Sequence, residues 1–191
     1  MFFEIYILTE SIKHFIKERI EEKVKEESGM IRHAKLEDID CILDIVKVAK
    51  QYMKDTGNAT QWPGNYPERQ DFLEDMEKQY LYVCYNEEMI YGVFFFRLGE
   101  EPNYIQIEDG EWLNHEPYGV IHRVAGNGKV KGIFQEIADF AKEQAENLRI
   151  DTHENNRTMQ HVIEKNGFRK CGIVYVEDGT PRIAYQYTAE K

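Results

Sequence analysis

Apolar positions recur along this chain at two spacings, and the switches between them mark its elements. Leu8, Ile12, Phe15, Ile16, Ile20 and Val24 fall three and four residues apart, predicting an amphipathic helix over residues 9–28 that ends near Gly29. A fresh start follows. IRHA, from Ile31, reads as a short strand, and Ile39, Ile42, Leu43, Val46 and Met53 then mark one face of a helix. Residues 55–70 carry Gly57, Pro63, Gly64 and Pro67, so this is a long loop, of a length that usually carries function. After the short helix ERQDFLEDMEKQ, the β-branched and aromatic runs YLYVCYN and MIYGVFFFRL meet near Asn86 and predict a hairpin. Two more strands are read at NYIQIED and YGVIHRVA. The helical period returns with Val130, Ile133, Phe134, Ile137, Phe140 and Ala141, LRIDT reads as a buried strand, and NNRTMQHVIEKN forms a helix stopped at Gly167. FRKCGIVYVED, a GT turn and PRIAYQYT close the chain as a hairpin. The pattern as a whole is an α/β (α+β) arrangement, a mixed sheet flanked by helices, in one domain over residues 30–191 with a helical extension at 1–29.

Composition narrows the partners. The chain has 191 residues, 42% of them apolar and 13% aromatic, enough for a real core without disulfides. Its 24 basic and 35 acidic residues leave a net charge of −11, so a global attraction to nucleic-acid phosphates or anionic membranes is missing. Cys41, Cys84 and Cys171 lie far apart with no CxxC spacing, which gives no support to a disulfide framework or a zinc knuckle and suits a reducing compartment. MFFEIYIL lacks the basic start of a secretory signal, and no 18 apolar residues run together. A soluble, cytoplasmic protein is expected, with neither nucleic acid nor membrane as partner. The apolar face of residues 9–28 is free to pack on its own domain or on a sister subunit, which makes a homodimer plausible.

The stretch with chemical content is VIHRVAGNGKVKGIF, where a strand runs through Gly126, Gly128 and Gly132 into a helix. Glycines let the backbone approach a ligand, and the free amides at a helix start, reinforced by its dipole, attract phosphate oxygens. Lys129 and Lys131 stand beside them. Each such charge-assisted bond contributes about 1.5–3 kcal/mol. The net charge opposes a phosphorylated ligand only weakly, because screening sets in beyond about 8 Å at physiological salt. The pattern alone is neither GxxxxGK[ST] nor GxGxxG, and a tight strand-to-helix turn also needs glycine.

KVKGIF, Lys129 to Phe134, followed about 20 residues later by DTHENNRTMQHVIEKNGF, Asp151 to Phe168, resembles the pyrophosphate loop and the asparagine-helix segment of the GNAT superfamily of acyl-CoA N-acyltransferases. The likeness runs from Ile31 to about Tyr187. It implies a mostly antiparallel sheet of six to seven strands, acetyl-CoA as co-substrate without a metal, and attack by an amine on the thioester where the fourth and fifth strands splay. Val124, Ala125, Gly128, Lys129, Val130, Lys131, Gly132 and Ile133 would then line the cofactor, and Asn156 would hold its pantetheine arm or adenine end. Val130 replaces the loop's usual first glycine and Phe134 its small last residue. Ile163 stands where many members carry the tyrosine that protonates the leaving thiolate. His122, on the fourth strand, matches the place of a glutamate or histidine base acting through water, although a histidine on a strand also serves structure alone. Trp62 and Tyr66 resemble a "QW…YP" element that roofs the acceptor pocket in a bacterial branch, where Trp62 is equally able to pack on the sheet; Arg123 is placed on the same side. The implied function is an N-acetyltransferase acting on a small-molecule or peptide amine. The alternative is a non-catalytic acyl-CoA-binding sensor or regulatory protein. Asp151 and His153 alternate on one strand face and suit a metal or a proton relay, but no further ligands are spaced nearby.

Overall fold

The computed structural model describes residues 30–189, so the predicted helix at 9–28 and its dimer role lie outside the described residues. Seven strands form one open sheet in the order β1-β2-β3-β4-β5-β7-β6. They are β1 Met30–His33, β2 Leu81–Tyr85, β3 Ile90–Leu98, β4 Gly119–Gly126, β5 Asn147–Thr152, β6 Arg169–Tyr175 and β7 Pro181–Thr188. Every pairing is antiparallel except β4 with β5.

Among the described residues four helices cover the two faces. On one side α1 (Ile39–Asp55) and α2 (Arg69–Glu77) bury Ile42, Ile45, Val46 and Phe72 against Leu81, Val83 and Val93. On the other, α3 (Ile133–Gln144) and α4 (Arg157–Lys165) bury Phe134, Ile137 and Ile163 against Phe94, Phe96, Ile150 and Tyr185. The alternation along β3, Val93 to one layer and Phe94 to the other, is the two-residue period of a strand buried on both faces. α1 begins after a 3-10 turn at Leu36–Asp38, whose Asp38 carboxylate accepts from the Lys35 amide and from Arg32. Gly167 takes φ +87° just past α4, the left-handed stop that its position predicts.

One predicted strand is absent. NYIQIED does not pair as a strand; Pro102–Tyr104 form a 3-10 turn, and the rest meets the sheet only at Glu108, bridged to Ile173 of β6. The alternating pattern of this segment suits a strand, but β3 and β4 already have neighbours on both sides. Of the two edge strands of the described sheet, β1 and β6, it meets only β6. Tyr104 instead turns inward and packs with Trp112, Val120, Cys171 and Val174, while Ile105 is left 76% exposed.

Candidate active site

The site follows from a failure of pairing. β4 and β5 are joined only at Gly119↔Leu148 and Val120↔Arg149; beyond these residues the parallel strands part. The gap opens into a cavity of about 590 Å³ whose walls include Trp62, Tyr66, Asp75, Glu101, His122 and Asp151. A bulge re-aims the β4 side of it. Val93 faces Ala125 while Phe95 faces His122, so one extra residue sits in β4, and Arg123 takes the left-handed φ of +51°. Successive strand side chains normally alternate faces. With the bulge, His122, Arg123 and Val124 all reach the cavity.

His122 stands between two carboxylates. Its Nε2 lies 3.5 Å from Glu101 Oε2 and its Nδ1 lies 3.6 Å from Asp151 Oδ2. Burial raises the Glu101 carboxyl, but His122 and Arg97 outweigh it and hold the group down to about 2. Glu101 is further fixed by Arg97, whose NH2 lies 3.1 Å from Oε2, and its backbone N–H donates to the Tyr118 hydroxyl. Asp151 accepts a 2.8 Å bond from the Tyr104 hydroxyl. Burial, and then the charge of Asp151, push the Tyr104 phenol well above its ordinary range, so it remains a neutral donor.

The long loop after α1 straps the gap from both sides. On the β4 side Arg123 donates from Nε to the Tyr66 hydroxyl at 3.0 Å and from NH1 to Asp75, and its guanidinium lies over the Tyr66 and Phe95 rings. Burial pushes the Asp75 carboxyl up, and Arg123 opposes that push. On the β5 side Gln61 Oε1 accepts from Asn156 at 2.8 Å and from Thr152 at 3.3 Å. Trp62 is buried among α1 and α2 side chains while also bordering the cavity. Arg123 is committed to Asp75 and Tyr66, and Asn156 to Gln61 and, through Oδ1, to the Met159 amide as the cap of α4. Both act on this structure as fasteners of the loop.

At the far end of β4 the glycine loop has the form its residues suggest. Gly128 and Gly132 take φ of +74° and +83°, and a Cβ at Gly132 would meet no described atom within 4 Å. Asn127 Oδ1 accepts from the amides of Lys129 and Val130. The amides of Gly128, Lys131, Gly132, Ile133 and Phe134 donate to no group among the described residues, as expected of the first turn of a helix that no side chain caps. The two unusual residues do not obstruct them. Phe134 points into the core beside Phe168, with ring centroids 6.1 Å apart, and Val130 packs against the same cluster. Together these groups form a cradle of donors flanked by exposed Lys129 and Lys131, which fits a diphosphate. Ile163 is fully buried in the α3/α4 core.

Neither a family model nor a curated protein matches the chain. Solved structures do. An acetyltransferase of the GNAT family from Streptococcus agalactiae is 31% identical, with a TM-score of 0.79, over 86% of this chain and 98% of that one. The chain belongs to the GNAT family. A Staphylococcus aureus structure is 32% identical at a TM-score of 0.60, covering 85% of this chain and 100% of that one. AAC(6')-Ib, solved with ribostamycin and coenzyme A, shares the GNAT fold at 15% identity and a TM-score of 0.58, over 85% of this chain and 94% of that chain. Acyl transfer is accordingly the general class of chemistry for this protein. Among the described residues no helix is long and apolar enough to cross a membrane.

His122 and the glycine loop stand out in the sequence, whereas Glu101, Gln61 and Asp75, which line the same cavity as His122, and Tyr104, which packs on it, do not. Glu101 precedes, and Tyr104 lies within, the segment NYIQIED that the pattern predicts as a strand, and their alignment with His122 depends on a loop path that no local pattern encodes. Asp151 was visible in the sequence, yet beside His153, as a metal ligand or relay; the structure pairs it with His122 instead, while His153 Nε2 approaches Thr60 Oγ1 at 3.4 Å.

Proposed function

We propose that the protein is an N-acetyltransferase that moves an acetyl group from acetyl-CoA to a primary amine by direct attack. The observation that carries this reading is His122, flanked by Glu101 and Asp151 at the mouth of the β4/β5 gap, on the same strand that leads to the uncapped amides of α3. Acetyl-CoA supplies the activated acyl group as a thioester. The free amides of Gly128 and of Lys131 to Phe134 bind its phosphates, and the parted edges of β4 and β5 direct the thioester to the cavity. Glu101, held ionised beside His122 and Arg97, receives the ammonium form of the acceptor. His122 Nε2, 3.5 Å from that carboxylate, takes one proton from the nitrogen and leaves a lone pair to attack. The new C–N bond forms as the C–S bond breaks, and the electron pair leaves with sulfur as a thiolate. The second proton, shed by the nitrogen once it is acylated, passes to that thiolate, so that the proton on His122 is the one released overall. Holding the two reactants in one cavity supplies up to roughly 7–11 kcal/mol in ideal cases, and a positioned base adds about 10²- to 10⁴-fold.

A second reading rests on Ile163. Its side chain is sealed in the core, so no hydroxyl stands at the place from which family members protonate the thiolate, and this favours an acyl-CoA-binding sensor. One experiment separates the two. Thermal shift with acetyl-CoA, CoA and ATP, run beside transfer of radiolabelled acetyl-CoA to a panel of amines, is expected to give stabilisation by both CoA species, little by ATP, and transfer to some amines. Stabilisation without transfer to any amine would support the sensor. Stabilisation by none of the three would remove both readings.

A further inference from the structure

We infer that Asp151, held in place by Tyr104, is the orienting partner of His122 and decides which imidazole nitrogen takes the acceptor's proton. The inference rests on the amine-acetylating reading above and adds to it two positioning residues from outside β4.

A neutral imidazole has one N–H and one lone pair, so of two flanking carboxylates it can donate to only one. In this site the carboxylates are not equivalent. Glu101 is neutralised by a guanidinium, Arg97 NH2, at 3.1 Å. Asp151 has its nearest cation, Arg182 Nε, at 4.0 Å, and its one short side-chain bond among the described residues comes from the Tyr104 hydroxyl at 2.8 Å. That bond goes to Oδ2, the same oxygen that lies 3.6 Å from His122 Nδ1. The carboxylate with unspent negative charge therefore faces Nδ1. The proton of the neutral ring belongs on that side, and the Nε2 lone pair is left toward Glu101 and the bound ammonium.

The 3.6 Å separation exceeds a hydrogen bond. A small turn of the imidazole closes it, and such contacts commonly tighten only when substrate is bound. Asp151 is the better-anchored partner because Tyr104 cannot move. Tyr104 is buried, its ring packs on Trp112 with centroids 5.3 Å apart and on His122 at 5.7 Å, and its carbonyl accepts the Trp112 indole N–H at 3.0 Å. This gives a physical purpose to the segment that declines to be a strand: its 3-10 turn delivers one hydroxyl to the foot of the gap. When Nε2 takes the acceptor's proton, the imidazolium formed has its Nδ1–H facing an anion. The arrangement follows the logic of an acid that orients a histidine base without itself becoming protonated. The groups that face His122 are thus Glu101 from the loop, Asp151 from β5 and Tyr104 from the 3-10 turn, with Arg97 and Arg182 one contact further out.

The test is acetyl transfer to an amine that the wild-type protein accepts, followed across neutral and alkaline pH for Asp151→Asn and Tyr104→Phe. For Asp151→Asn, kcat is expected to fall by roughly 10²-fold or more, the scale of a lost positioned base, with the KM for acetyl-CoA unchanged. The ascending limb of kcat against pH should move to lower pH, because the imidazolium has lost its anion. Tyr104→Phe removes one oxygen from a packed site. It should lower kcat by about tenfold, the worth of one hydrogen bond to a charged group, because Asp151 is no longer held in place, and shift the limb the other way, to higher pH, because Oδ2 loses the hydroxyl that shares its charge. A pH profile for Asp151→Asn that superimposes on the wild type in height and limb overturns the inference and leaves the acetyltransferase reading standing. If Asp151→Asn does not fold, an unchanged kcat and limb in Tyr104→Phe overturns it equally. A wild-type protein that binds CoA and acetylates no amine overturns the underlying reading first.

Discussion

The two ends of the cleft are made of different material. At the start of α3 the donors are main-chain amides, supplied by the path of the loop and by the helix itself. In the β4/β5 gap the clustered polar groups are side chains from separate segments: His122 from β4, Asp151 from β5, and Glu101 and Tyr104 from the connection between β3 and β4. A backbone site tolerates exchange of its side chains as long as the path survives, and so Val130 and Phe134 can depart from the family's habit by turning into the core. A side-chain site has no such freedom. Each member is one residue's chemistry at one position, and its neighbours exist to aim it.

The strongest way to break this contrast is at His122. His122→Ala is expected to lower kcat by about 10²- to 10⁴-fold near neutral pH, with the dissociation constant for CoA essentially unchanged, since the amides at α3 are untouched. Steady-state kinetics beside calorimetric CoA titration would check both halves. An equal loss in CoA binding would show that the two ends of the cleft are not separable.

Arg123 tests the aiming rather than the chemistry. It ties Asp75 of α2 and Tyr66 of the loop to the bulge in β4. Arg123→Ala leaves Asp75 buried without its cation, and breaking a buried pair in this way costs about 3–5 kcal/mol. The sign with pH is fixed. The Asp75 carboxyl, already pushed up by burial, rises further without Arg123, so the loss of stability is greatest at neutral and alkaline pH. It fades as pH falls below the usual carboxylate range near 3.9, where the unfolded chain is protonated as well. Denaturant unfolding of the variant at two pH values would check this, and a penalty that does not depend on pH would mean that Asp75 is not the group left exposed to the loss.

How much of this was legible in the sequence follows the same division. The helices and most strands could be read because their signals are local: the spacing of Ile39, Ile42 and Val46, or the β-branched and aromatic runs around Val83 and Phe94. The glycine loop was legible for the same reason, since a strand, glycines and a helix in direct succession already contain the backbone path. The His122 cluster was legible only in part. His122 lies 21 residues from Glu101 and 29 from Asp151, and what brings them together is the parting of β4 from β5, the extra residue at Arg123 and the refusal of NYIQIED to pair. None of these is a pattern of neighbouring residues. Asn156 shows the same limit: its place before a helix can be read from the sequence, but its contacts to Gln61 and to the cap of α4 depend on where a distant loop lands.

Within the backbone end of the cleft, Gly132 and Val130 sharpen the comparison at lower amplitude. Gly132→Glu places a β-carbon on a residue with φ +83° and a carboxylate over the free amides. The carboxylate competes with phosphate for the same donors and repels it, and losing one or two charge-assisted bonds of about 1.5–3 kcal/mol each predicts a rise in the CoA dissociation constant of at least roughly tenfold. kcat at saturating acetyl-CoA should stay close to that of the wild type, the mirror image of His122→Ala.

The smallest effect is expected at Val130, and it is the most pointed. Val130→Gly restores the residue that the family resemblance calls for. If side chains in this loop mattered to phosphate binding, CoA affinity would rise distinctly. The structure places the Val130 side chain against the α3/α4 core, with its amide already bonded to Asn127 Oδ1 at 3.4 Å. The amides that face outward belong to Gly128 and to the residues after Val130. The substitution therefore removes apolar burial and adds backbone freedom without adding a donor. CoA affinity should change by less than about threefold, while stability falls by roughly 1 kcal/mol, from lost packing and the greater entropy of the unfolded chain. Calorimetric titration with CoA and thermal unfolding of the same samples separate the two quantities. A tenfold gain in affinity would mean that the loop is strained by its valine and that this end of the cleft depends on its side chains after all.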